Sequence, residues 1–154
     1  MELKVIPVLQ LFIAVILMTL IQHFMPLFDY SNIIKPIIKI AMILLFLFSG
    51  LLIGFLAIYS FKKHQTTVNP IKPDTSSKVV DSGIYQYSRN PMYLAMLLSL
   101  FAYTSYLANP VAFLICALFT WYISKYQITP EERILEKRFG KVYCDYKKQV
   151  RRWI

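Results

Sequence analysis

The chain has 154 residues, 57% of them hydrophobic, with a mean hydropathy of +0.51 and a formal net charge of +9. A soluble domain is nearer about 45–50% apolar, and here the excess gathers in three runs, 5–27, 40–61 and 91–124, that hold no Asp, Glu, Lys or Arg. That pattern excludes an ordinary soluble core, and the basic residues flank the apolar runs without forming a nucleic-acid-binding module.

In chain order, the pattern predicts an all-α integral membrane protein in a single domain, with about four spans. The first two lie within residues 5–60, at about Val5 to Met25 and Ile37 to Ser60. The first run is too long for a signal-peptide core, and bulky Phe24-Met25-Pro26 follows it where a peptidase needs small residues. Residues 61–154 then hold a polar loop, a third span from about Met92 to Leu107 and a fourth from about Val111 to Tyr126. Asn109-Pro110 breaks the last two apart, since Asn-Pro marks a turn and proline suits the first turn of a helix. The stretch Glu131–Val150 reads as one helix lying at the membrane surface, with Ile134, Leu135, Phe139, Val142, Tyr143 and Tyr146 at three- and four-residue spacing between Lys and Arg.

Lys and Arg crowd the central loop and the tail, while the turn between the last two spans has none. The positive-inside rule therefore puts the N-terminus, central loop and C-terminus all on the cytoplasmic side of the plasma or inner membrane. Most of these cations serve to orient the chain and grip anionic lipid headgroups. The spans carry no acid, which argues against transport. His23, His64, Cys116 and Cys144 show no metal-ligand spacing, so no metal is expected. Gly50-x-x-x-Gly54 offers a close helix contact.

The polar chemistry sits in two segments at the cytoplasmic edge, 77–93 and 127–133. If the last two spans form an antiparallel hairpin, these segments meet in space. Thr129-Pro130-Glu131-Glu132 also reads as a helix start, with Thr129 as N-cap and Glu132 closing a capping box, which leaves Glu131 free for a pocket.

Val80-Asp81-Ser82-Gly83-Ile84-Tyr85, followed by Ser88-Arg89-Asn90-Pro91-Met92-Tyr93, resembles the signature of the isoprenylcysteine carboxyl methyltransferase family and its bacterial and archaeal relatives. The likeness continues through Asn109-Pro110, Glu131-Glu132 and 139–150, and phospholipid N-methyltransferases share the looser plan. What the resemblance implies is an S-adenosylmethionine-dependent membrane methyltransferase acting on a lipophilic or lipidated acceptor, with the cofactor held outside any Rossmann domain. Carried over by position, Lys78, Val79, Val80, Tyr85, Asn90, Pro91, Met92, Tyr93, Glu131 and Glu132 would hold the cofactor. Arg89 and Asn90 would be catalytic, and Gln127 and Arg133 would face the substrate.

Two positions depart from the family pattern. Asn90 stands where the family has histidine and cannot titrate. Gln127 stands where the eukaryotic prenylcysteine enzymes carry a substrate-facing arginine. With no evident base in the sequence, a carboxylate acceptor, already ionised at neutral pH, is favoured over an amine. The rival readings are a phospholipid amine N-methyltransferase, a non-enzymatic four-helix membrane protein, and a reductase of the steroid-reductase type using a nicotinamide cofactor.

Overall fold

A computed structural model describes residues 6–25, 29–63 and 79–154, so the expectations for Lys78 and His64 lie outside the described residues. Six α-helices follow one another: α1 (Pro7–Phe24), α2 (Pro36–Lys63), α3 (Pro91–Leu107), α4 (Ala112–Ile123), α5 (Thr129–Phe139) and α6 (Lys141–Gln149). Among the described residues there is no strand.

α1 and α2 are long and apolar enough to cross a membrane. α3 is a shorter apolar helix of 17 residues, about 26 Å at 1.5 Å per residue. α2 buries only Gly50, Ala57 and Ser60 and turns Phe48, Leu51 and Phe55 outward, each about two-thirds exposed. Water would not tolerate so continuous an apolar face; hydrocarbon does. This is a membrane protein. The hydroxyls obey the same solvent. Ser99, Thr104, Ser105 and Thr120 each donate to the carbonyl four residues back, and the Thr19 and Tyr103 hydroxyls pair at 2.8 Å, as polar groups must where no water is present.

The core lies between α1, α3 and α4, around Met18, Leu100, Ala112, Phe119 and Ile123. α2 packs along the other side of α3. There a Cβ on Gly50 would stand 3.1 Å from the Ala95 carbonyl oxygen and 3.3 Å from Leu98 Cβ, whereas one on Gly54 would meet Ala95 Cβ at an ordinary 3.5 Å. The close contact offered by the glycine pair is thus made, and mainly by Gly50.

Asn109 makes the break between α3 and α4. Its Oδ1 accepts the Val111 N–H at 3.0 Å, and Ala108 takes a left-handed backbone at φ 52° to end α3. Asn109 Nδ2 donates to Gln22 Oε1 at 3.0 Å and the Tyr30 N–H to the Ala108 carbonyl at 3.0 Å. The α1–α2 and α3–α4 turns therefore share one end of the bundle, and the polar segments share the other.

Two expectations need correction. Thr129 is no N-cap: its φ of −61° and ψ of −44° are helical, and α4 runs into α5 through a π-helical stretch, Ser124–Ile128. Pro130 explains the wider turn, because proline has no N–H to give and its ring crowds the carbonyl four residues back. The Thr129 hydroxyl instead donates to the Ser124 carbonyl, five residues back, at 2.7 Å. The surface helix is also two helices, broken at Gly140, whose φ of 54° suits glycine.

Candidate active site

The site is assembled at the polar end of the bundle. Gly83, at φ 63°, starts a short 3₁₀ turn, Gly83–Gln86, against the last turns of α2, where a Cβ would stand a tight 3.0 Å from Ser60 Oγ. The turn buries Tyr85 among Ala57, Val80 and Met92, edge-on to the Phe61 ring at 5.2 Å between centroids. Burial drives its phenol well above the ordinary range. The Tyr146 hydroxyl of α6 donates to the Tyr85 carbonyl at 2.7 Å. Val80 therefore faces α2, whereas Val79 packs against the α6 cluster of Tyr143, Tyr146 and Val150.

Tyr93, one turn into α3 behind the fully buried Pro91, sends its hydroxyl across to α5. It donates to Glu131 Oε1 at 2.5 Å. Gln127, only 1% exposed, donates its amide to the same oxygen at 2.5 Å. Both bonds end on Oε1. Burial pushes the Glu131 carboxyl up to about 7, against the opposing pull of these two hydrogen bonds. A carboxylate, a phenol and an amide thus converge where α3 begins and the π-helical stretch ends.

Glu132 faces a second cluster. Arg152 grips it through two bonds, Nε to Oε1 at 3.2 Å and Nη2 to Oε2 at 2.6 Å. Arg89 Nη2 lies 3.3 Å from Oε1, and Lys147 Nζ 3.7 Å from Oε2. Arg89 Nε and Nη1 are buried with no hydrogen-bond partner among the described residues. The backbone adds a strap: the Arg89 N–H donates to the Arg151 carbonyl at 3.0 Å, and Asn90 Nδ2 to the Arg152 carbonyl at 2.9 Å. Trp153 Nε1 then donates to Ser124 Oγ at 3.2 Å.

The structure therefore brings Tyr93, Gln127 and Glu131 into direct contact and gathers Arg89, Asn90 and Glu132 beside them. Met92 lies with Tyr85. Arg133 is exposed, about 200° around the helix from Glu131. The roles of Lys147, Arg152 and Trp153 escape a reading of the sequence, where they look like membrane-surface cations and a belt tryptophan.

A family model described as phospholipid methyltransferase matches residues 38–142. The chain belongs to that family. The matched stretch of this phospholipid methyltransferase family member holds Tyr85, Tyr93, Gln127, Glu131 and Glu132, and leaves out α1 and the strap around Arg152. An uncharacterized protein of Haemophilus influenzae is 46% identical over 63 residues, 41% of this chain and all of that one. Protein-S-isoprenylcysteine O-methyltransferase B of Arabidopsis thaliana is 29% identical over 94 residues, 61% of this chain and 48% of that protein. Protein-S-isoprenylcysteine O-methyltransferase of Mus musculus is 34% identical over 79 residues, 51% and 28% respectively. The chain thus spans less than half of either named enzyme in these matches. No solved structure matches it.

Proposed function

We propose that this protein is an S-adenosylmethionine-dependent methyltransferase that modifies a lipophilic acceptor, favoured to be a carboxylate, at the cytoplasmic face of the membrane. The observation that carries this reading is the convergence of Tyr93 and Gln127 on Glu131 at the polar end of an apolar bundle. We read α1, α2, α3 and α4 as four crossings, which put both termini on one side, and the Lys and Arg of the central loop and tail make that side the cytoplasmic one.

The donor set suits the cofactor. Glu131 accepts the Tyr93 and Gln127 hydrogen bonds at Oε1, which leaves Oε2 for an ammonium or a ribose hydroxyl, a charge-assisted bond in a half-dry setting. When bound, the cofactor supplies a methyl group on a positively charged sulfur, and in-line transfer to a carboxylate oxygen forms the C–O bond as the C–S pair stays on sulfur, which leaves a neutral ester and a thioether. Tyr85 and Tyr93 keep water away and present aromatic surface to a cation. Tyr93 and Gln127 fix the Glu131 rotamer, so that alignment is in place before the acceptor arrives. Such positioning can supply about 7–11 kcal/mol of a bimolecular barrier.

A second reading, N-methylation of a phospholipid amine, is favoured by one observation. A carboxyl held near neutrality by burial can take the proton that an ammonium must lose before its nitrogen attacks.

The test is calorimetry with S-adenosylhomocysteine on purified protein, together with transfer of labelled methyl to total membrane extract. Glu131→Ala and Tyr93→Ala should each weaken binding while the protein stays extractable and folded. Wild-type affinity in both would remove the assignment. Label released by alkali as volatile methanol marks a methyl ester, and label that stays on a non-volatile amine after alkali marks the amine reading.

A further inference from the structure

Pro130 denies the helix one hydrogen bond, and the wide turn before it is held from elsewhere in the chain. Ser124 is the point that is held. Its carbonyl accepts the Thr129 N–H and the Thr129 hydroxyl, the latter at 2.7 Å, and its Oγ accepts Trp153 Nε1 at 3.2 Å. Ile123 and Ile128, which bracket the π-helical stretch, are both fully buried in the core. On a uniform α-helix, at about 100° per residue, five positions would turn them about 140° apart. The π turn therefore sets the register of everything after it, and in that register Gln127 and Tyr93 meet on Glu131.

The tail supports this turn at both ends. Trp153 holds Ser124, and its neighbour Arg152 clasps Glu132 through two hydrogen bonds. Two adjacent residues thus bracket the segment that carries Gln127 and Glu131. Their own place is fixed from a third side, because the Arg151 and Arg152 carbonyls accept from Arg89 and Asn90 at the start of α3. Trp153 also packs against the core cluster that contains Ile123 and Ile128. A tryptophan that served only as a membrane-belt anchor would have no need of these partners. We propose that Arg152 and Trp153 splint the π-helical stretch, and that Trp153 is a positioning residue for Glu131, acting through Ser124 and Gln127. The proposal rests on the reading of Glu131 as the cofactor's carboxylate partner and deepens it. Without the Trp153–Ser124 bond the turn relaxes toward α-helical register and the Gln127 amide slips from Oε1. The ionised carboxylate then has one donor fewer, so Glu131 holds its proton to higher pH.

The experiment titrates Glu131 in the full chain without cofactor, by carbon NMR of protein labelled at the glutamate carboxyl carbon and held in nanodiscs. The chain has four glutamates, and Glu131→Gln assigns the resonance. The titratable groups around it are the Tyr85, Tyr93 and Tyr143 phenols and Glu132. Phenols keep their protons at neutral pH, and Glu132 is engaged by Arg89, Lys147 and Arg152, so the step at about 7 belongs to Glu131. Gln127→Leu should raise that midpoint by about one pH unit. Trp153→Phe and Ser124→Ala, which cut one bond from its two ends, should each raise it by about half as much. Combining those two should add nothing to either alone, and Trp153→Phe should add nothing in the Gln127→Leu background. At about pH 6 the half-unit rise should weaken S-adenosylhomocysteine binding about threefold. A midpoint that Gln127→Leu moves and the other two variants leave unchanged overturns the proposal and leaves the cofactor reading standing. A Trp153→Phe effect that persists in full on Gln127→Leu overturns it too, since the route through Gln127 is then absent. Coupled shifts in a protein that binds no S-adenosylhomocysteine leave the splint standing and remove the cofactor reading.

Discussion

Arg152 clasps Glu132 with two hydrogen bonds from 20 residues further along the chain. The residue that reads locally as the closing member of a capping box is instead the hub of an ion cluster. Its carboxylate is almost wholly buried, and a buried charge keeps its place only when it is paired. The same Arg152 offers its backbone carbonyl to Asn90. One residue thus ties α5 to the segment that opens α3.

Arg152→Ala should destabilise the protein by about 1–3 kcal/mol, the cost of leaving a buried acceptor underpartnered, kept below the full buried-pair loss because Arg89 and Lys147 remain. Thermal unfolding in detergent measures it. In the double variant with Glu132→Gln, most of that loss should vanish, since the charge that needs Arg152 is gone.

Asn90→Ala should act through the strap. It removes the donor to the Arg152 carbonyl and frees the tail that carries Trp153 to Ser124. We expect a severalfold weaker grip on S-adenosylhomocysteine. Asn90→His restores a donor at the same place and should recover most of the affinity. Equal loss in both variants would assign Asn90 to direct contact with a ligand.

Much of this arrangement is legible in the chain. Charge-free runs mark the apolar helices, Asn109-Pro110 marks the α3–α4 turn, and a hairpin between those helices brings Tyr93 to Glu131. Local signals fail where packing overrides them. Thr129-Pro130-Glu131-Glu132 has every mark of a helix start, yet Ile123 and Ile128 are fully buried in the core and hold the helix through it, with a π turn absorbing Pro130. Gly140 breaks a run whose periodicity reads straight across it. The Arg152–Glu132 clasp has no spacing to betray it, since a tail cation looks the same whether it meets lipid or carboxylate.

Gly50 and Gly54 should separate under substitution, although the sequence treats them as a pair. Gly50→Val forces side-chain atoms against the Ala95 carbonyl and Leu98 and should cost about 1–3 kcal/mol, the range for overpacking. Gly54→Ala meets only ordinary contact and should stay within about 0.5 kcal/mol of wild type. Melting temperatures of the two variants, taken in the same detergent, decide it.

The pH dependence of cofactor binding should report Glu131 itself. Burial holds its carboxyl at about 7 in the free protein, so near neutrality a large fraction is protonated. A ligand that brings an ammonium or a sulfonium beside it favours the ionised form and lowers that value. Binding must then release a proton below about pH 7, and affinity should fall by up to about tenfold for each pH unit on the acid side, with a plateau above. Glu131→Gln cannot titrate and should bind weakly with a flat profile. Calorimetry of S-adenosylmethionine in two buffers of different ionisation enthalpy measures the released proton directly. A wild-type profile as flat as that of the Gln variant would place the cation away from Glu131 and leave this carboxylate as an anchor for Tyr93 and Gln127 alone.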